Sequence, residues 1–191
     1  MLLRDILEAN RDFVQKWEGE VTDRESNKLP AKRLAIFSCM DTRLVDMLEP
    51  ALGLSRGEAK VIKNAGTVVT EDVVRSLAVA SYLLSVEEIM VIAHLDCGMA
   101  TPDADKMRAA MLSRGVQEEY LDSLDLAKWL KGFGTDYYQH VRDVVDELLA
   151  SPLLPKDIPY HGLLFCPDTG HLELVVNGYE RLGAKSHALG K

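Results

Sequence analysis

Cysteine is scarce in this 191-residue chain, which has only Cys39, Cys97 and Cys166. An odd, low count argues against a disulfide framework, so each must be read as core filler, metal ligand or nucleophile. Long apolar runs are also missing. None approaches the roughly 18 residues of a membrane span, and charges break up the N-terminal stretch every few residues, unlike a signal peptide. Basic charge is short as well. Lys and Arg number 22 against 30 Asp and Glu, a net charge of −8, with no local basic stripe. Such a surface repels phosphate backbones, which excludes nucleic acid as the expected partner. With 13 Gly and 7 Pro the chain is neither collagen-like nor of low complexity. The expectation is a cytoplasmic protein without membrane contact. Its length suits a single domain over 1–191 with a sizeable core.

The hydrophobic pattern then gives the elements. Apolar positions at Leu2, Leu3, Ile6, Leu7, Phe13, Val14 and Trp17 predict an amphipathic helix over about 2–18. Leu34–Ser38, Ala59–Lys63 and Ile89–Ala93 are short buried strands. Thr70, followed by Glu71 and Asp72, reads as the N-cap of a helix carrying Val73, Val74, Leu77 and Ala78. Asp103–Leu112 and Gln117–Leu130 predict short helices with a turn at Gly115, and Asp136–Ala150 a clearer one. Ile158–Phe165 and Leu172–Val176 read as strands joined by a turn over Pro167–Gly170. Alternating strands and helices predict an α/β fold, a mostly parallel sheet flanked by helices. In such sheets, sites lie beyond the carboxyl ends of the strands.

Two strand ends carry chemistry. The first strand runs into Cys39-Met40-Asp41-Thr42-Arg43 and the third into His94-Leu95-Asp96-Cys97-Gly98. In a parallel sheet both lie at one edge, so Cys39, His94 and Cys97 can form a Cys₂His set. Zinc takes thiolate and imidazole tetrahedrally, and three protein ligands leave a fourth position open, as in catalytic rather than structural sites. The fourth position could take water or the Asp41 carboxylate. Alone, a His-x-x-Cys pair or an Asp-x-Arg ion pair signals little. Together at one sheet edge they are a specific pattern.

Cys39-x-Asp41-x-Arg43 followed by His94-x-x-Cys97 resembles the β-class carbonic anhydrases. So do Asn64-Ala65-Gly66 and the strand into His94-Leu95-Asp96-Cys97-Gly98-Met99. The resemblance implies one Zn²⁺ per chain held by Cys39, His94 and Cys97, with Asp41 and Arg43 as the catalytic pair. It implies hydration of CO₂ to bicarbonate and self-association as a dimer or dimer of dimers, with the N-terminal helix packing on a partner subunit. Gly66 and Gly98 match glycines beside the pocket and are expected to let backbone approach the metal loop. Asn64, Val68 and Val69 complete the expected substrate pocket, with Asn64 chiefly closing a turn.

The pattern also departs from two branches of the family. Ile36 stands where the bicarbonate-regulated branch has Trp, Lys63 stands where it has Arg, and no Gln lies between Gln15 and Cys39, where the plant-like branch has one. The chain is more similar to the short archaeal and Gram-positive branch, which also resembles hydrolases of COS and CS₂. Hydrolysis of COS or CS₂ is therefore the first alternative, with the 99–134 region as the candidate lid. A structural zinc module without catalysis is the second. Of the remaining residues, Cys166 is expected to fill core, His140 to be solvated on its helix, and Asp96 to stabilise its loop. His161, His171 and His187 are assigned to no metal.

Overall fold

The structure is a computed structural model that describes residues 2–16 and 28–183. Its five-stranded sheet runs in the order β2-β1-β3-β4-β5. The strands are β1 (Leu34–Cys39), β2 (Ala59–Asn64), β3 (Glu88–His94), β4 (Tyr160–Phe165) and β5 (Leu172–Val176). The first four are parallel, and only β5 runs antiparallel, against β4. The expected α/β architecture is thus present.

The strand order explains where a site can form. From β1 the chain moves outward to β2, then crosses back to place β3 on the other side of β1. Loops leaving β1 and β3 therefore diverge, opening a crevice at their carboxyl ends. Every residue of β1 is buried, as its apolar run requires, whereas edge strand β2 is only partly covered.

Helices α3 (Glu71–Leu83) and α7 (Tyr137–Ala150) cover one face of the sheet. Val73, Leu77 and Ala80 of α3, and Val144, Val145 and Leu148 of α7, pack on Ala35, Phe37, Ile89 and Val91. The Thr70 hydroxyl accepts from Val73 N–H at 3.3 Å, as an N-cap should, a bond worth about 1 kcal/mol. Gly162 lets α7 approach β4, because a Cβ there would lie 2.6 Å from Val141 Cγ1. On the other face, Leu34, Ile36, Ile92 and Phe165 pack with Leu44 and with Leu48 of the short helix α2 (Leu48–Ala51).

Some boundaries differ from expectation. The 117–130 segment is two helices, α5 (Glu118–Asp122) and α6 (Leu126–Leu130), after α4 (Ala104–Ser113). Asp125 separates them by accepting from Lys128 N–H at 3.0 Å, which starts a new helix. Strand β4 begins at Tyr160 rather than Ile158, and α2 was not expected. The last helix is α8 (Gly178–Arg181), and α1 spans Leu2–Lys16 with all its residues exposed. Positions 17–18 of the expected first helix, and His187, lie outside the described residues. Among the described residues, no helix is long and apolar enough to cross a membrane.

Candidate metal centre

Cys39 ends β1, His94 ends β3, and Cys97 follows in the turn after β3. All three are buried, and their ligand atoms lie within 4.8 Å of one another. The two sulfurs are 3.9 Å apart. His94 Nδ1 is 2.8 Å from the Leu95 carbonyl oxygen. A carbonyl can only accept, so Nδ1 carries the proton and Nε2 presents a lone pair. That Nε2 is buried and has no hydrogen-bond partner. An orphaned imidazole nitrogen beside two thiols, its other nitrogen fixed by a backbone carbonyl, is the arrangement a metal-ligating histidine requires.

The thiols point the same way. The Cys97 side chain hydrogen-bonds Cys39 and holds its thiol down at about 4 against burial, aided by His94 and by the Gly66 N–H at 3.4 Å. Cys97 is pushed far up by the Cys39 sulfur and by burial. One thiolate therefore opposes the other. A cation between them would remove that opposition, so the donor set fits a thiophilic divalent metal.

Asp41 and Arg43 lie beside this trio. The Asp41 carboxylate accepts from Arg43 Nε at 3.0 Å, from a terminal guanidinium nitrogen at 3.0 Å and from the Arg43 backbone N–H at 2.9 Å. These bonds hold its pKa down at about 2. Asp41 Oδ2 is also 3.8 Å from His94 Nε2, so the carboxylate borders the ligand cluster. Arg43 does more than its spacing suggests. It also donates to the Asp96 carbonyl at 2.7 Å and to the Asp96 carboxylate at 2.9 Å, tying the β1 loop to the β3 loop. Asp96 sits at φ +53°, a conformation that those contacts help hold.

The expected pocket residues divide. Asn64 closes the turn after β2, donating to the Val68 carbonyl at 2.7 Å and accepting from Val68 N–H at 3.2 Å. Gly66 is required: φ is +82°, and a Cβ would lie 2.6 Å from Met99 Cβ. Gly98 is not required on the same ground, since a Cβ there meets open space and the close-approach reading fails. Val68 and Val69 line a cavity of about 380 Å³ with Lys131, Phe133, His140 and Glu147.

Two expectations are corrected. His140 is not solvated but 5% exposed, with Nε2 2.9 Å from the Gly66 carbonyl oxygen. Its ring stacks on Phe133 at 3.7 Å between centroids, 9° from parallel. Burial pushes its pKa down, so the ring is neutral and Nε2 donates. Cys166 is not core filler. It is half-buried in the β4–β5 turn, where the Thr169 side chain bonds it and lowers its pKa.

Fold and site together define a class: an α/β protein with a Cys₂His cluster able to hold a metal at a parallel-sheet switch point and a carboxylate–guanidinium pair beside it. The family model for carbonic anhydrase matches residues 34–171. The protein YtiB of Bacillus subtilis (strain 168) is 41% identical over 186 residues, covering 93% of this chain and 98% of that one. The crystal structure of the β-carbonic anhydrase isoform TvaCA1 from Trichomonas vaginalis superposes with a TM-score of 0.87 at 39% identity. It covers 94% of this chain and all (100%) of that one. A carbon disulfide hydrolase of Acidithiobacillus thiooxidans is 30% identical over 192 residues, 90% of each chain. The chain belongs to the β-class carbonic anhydrase family and is a lyase of that type.

Proposed function

We propose that the chain catalyses reversible hydration of CO₂ to bicarbonate, using one Zn²⁺ held by Cys39, His94 and Cys97. The observation that carries this reading is the buried trio itself, with the His94 Nε2 lone pair unclaimed and the Asp41–Arg43 pair alongside. Zinc bound there supplies the Lewis acidity that lets water ionise near neutral pH. The chain's own residues do the rest. Asp41, ionised at any working pH, accepts a hydrogen bond from the attacking water and orients its lone pair. Arg43 engages both Asp41 oxygens through charge-assisted bonds, which keeps the carboxylate beside the ligand position rather than on it and preserves a place for water. Val68 and Val69 line the cavity on the substrate side, and Asn64 and Gly66 shape the turn that carries them.

A second reading is hydrolysis of CS₂ or COS at the same centre, which similarity to a carbon disulfide hydrolase favours. Stopped-flow assays of the zinc-loaded protein against CO₂, COS and CS₂ separate the two readings. CO₂ hydration with a far higher kcat/KM supports the proposal, and turnover of CS₂ or COS alone overturns it. A purely structural zinc module is disfavoured because the cluster found among the described residues has three ligands and Arg43 engages the nearby carboxylate.

The proposal extends to assembly and place. We propose one domain over 1–191 that self-associates as a dimer or dimer of dimers, in the cytoplasm. Helix α1 supports the assembly. Leu2, Leu3, Ile6, Leu7, Phe13 and Val14 are exposed, and a 15-residue helix is marginal alone in water, so its apolar stripe needs a partner. Sedimentation at micromolar concentration tests this: a fully active monomer would contradict it.

A further inference from the structure

The metal ligands do not hold the Gly66 turn by themselves. Gly66 has φ +82° and Thr67, a residue with a branched side chain, has φ +55°. Consecutive left-handed residues are costly, roughly 1–3 kcal/mol for the non-glycine one, and persist only where their surroundings impose them. The Asn64–Val68 bonds secure one side of this turn. The other side is secured by His140, from a helix 74 positions away in sequence, through its bond to the Gly66 carbonyl. The same glycine turns its N–H onto Cys39 Sγ at 3.4 Å.

We propose that His140 is a positioning residue for the metal centre: clamped on Phe133 and bonded to the Gly66 carbonyl, it holds Gly66 in the turn conformation that aims the N–H of the preceding peptide at the Cys39 sulfur. The inference rests on the metal-binding reading above. An N–H on a thiolate draws electron density from sulfur, which tunes both how strongly the sulfur donates and how well the ligand is oriented. The aromatic plate matters because it sets the ring's plane. Phe133 also approaches Gly66 itself, with Cε1 3.6 Å from where a Cβ would stand. Met99 closes the remaining side at 2.6 Å. Gly66 is thus gripped by a sulfur, an imidazole, a thioether side chain and a ring, and the imidazole is what bonds its carbonyl.

The test uses cobalt(II)-substituted protein, whose sulfur-to-cobalt charge-transfer band reports on the two ligand sulfurs, Cys39 among them. Gln places a donor where Nε2 stands, whereas Asn places one nearer Nδ1. His140→Asn is expected to move the band to longer wavelength and to speed cobalt loss to a chelator roughly 10- to 100-fold. His140→Gln is expected to restore both to within about twofold. Val144→Ala, on the same buried helix face, lowers the melting temperature but leaves the band in place. Phe133→Leu gives a second route should the Asn variant fail to fold: the band moves the same way by less. Equal behaviour of the Asn and Gln variants, an unmoved band in Phe133→Leu, or a Val144→Ala shift as large as that of His140→Asn overturns the proposal. Failure of the unsubstituted protein to take up cobalt or zinc would instead overturn the metal reading, and this inference with it.

Discussion

The two ends of the sheet each carry a buried histidine, and the two are wired in opposite ways. At the carboxyl end of β3, His94 gives its Nδ1 proton to a carbonyl, and Nε2 faces two sulfurs with a free lone pair. At the amino-terminal end of β4, His161 Nδ1 instead accepts the Gly178 N–H at 3.1 Å, so the proton sits on Nε2. That nitrogen makes an ion-pair contact of 3.1 Å with Glu88 Oε1 without a well-directed hydrogen bond, and Glu88 accepts from the Tyr179 hydroxyl at 2.8 Å. The Tyr179 ring meets the His161 ring edge to face at 4.7 Å. Burial is alike at both ends. The difference lies in which nitrogen the backbone claims, and it separates a histidine free to ligate from a clasp. One end gathers a donor set suited to a cation, and the other sets a carboxylate beside its histidine and ties α8 to β3 and β4.

The sharpest way to break this comparison is to remove ligands at the carboxyl end. Ala in place of Cys39, His94 or Cys97 should lose zinc and CO₂ hydration together, measured by metal analysis and stopped-flow. The loss should exceed the roughly 100-fold that removing an outer-shell partner costs. A smaller loss is expected from Arg43→Ala, which frees Asp41 while leaving the ligands intact. Zinc stays near one per chain and kcat falls about 10- to 100-fold. A near-normal rate would reduce Asp41-x-Arg43 to a structural ion pair.

At the opposite end, Glu88→Gln should change stability and not catalysis. The His161 contact, with that of Tyr179, holds the Glu88 pKa below its ordinary 4.5. The folded value lies under the unfolded one, so the stabilisation is full above about pH 4.5. It disappears as pH falls through the lowered value. Chemical denaturation at pH 7 should therefore show Glu88→Gln less stable by about 1–2 kcal/mol. Wild type and variant should converge in acid, with zinc content unchanged. The smallest effect is expected at Cys166. Cys166→Ala should alter stability by no more than about 0.5 kcal/mol and leave zinc bound, since its thiol sits in a turn outside the cluster.

Much of this was legible in the sequence, for physical reasons that differ by residue. The strands ending in Cys39 and His94 are apolar runs that can only be buried, and a parallel sheet sends both ends to one edge. Their convergence therefore followed from topology. The Asp41–Arg43 pair followed from spacing. What spacing does not encode is reach across loops: Arg43 on Asp96 depends on how far the β3 turn folds back. In sequence His140 looks solvated because Gln139, Arg142 and Asp143 surround it. Yet it lies three residues after Tyr137 and four before Val144, on the buried stripe of α7 with Val141 and Leu148. Reading the stripe rather than the neighbours would have placed it inside. Gly98 erred the other way: a glycine beside a ligand suggested crowding where there is open space. Asp125, an N-cap inside a stretch of helix formers, divided a segment that periodicity alone joined.

The central claim is that the carboxyl-end cluster is a catalytic metal centre rather than a structural one. Titrating zinc back into metal-free protein while following CO₂ hydration by stopped-flow, with bound zinc and circular dichroism measured on the same samples, tests it directly. The account predicts that hydration rises in proportion to bound zinc up to one equivalent per chain, while the fold is already present before zinc is added. A zinc-replete chain that is folded but hydrates CO₂ no faster than the metal-free protein would contradict it.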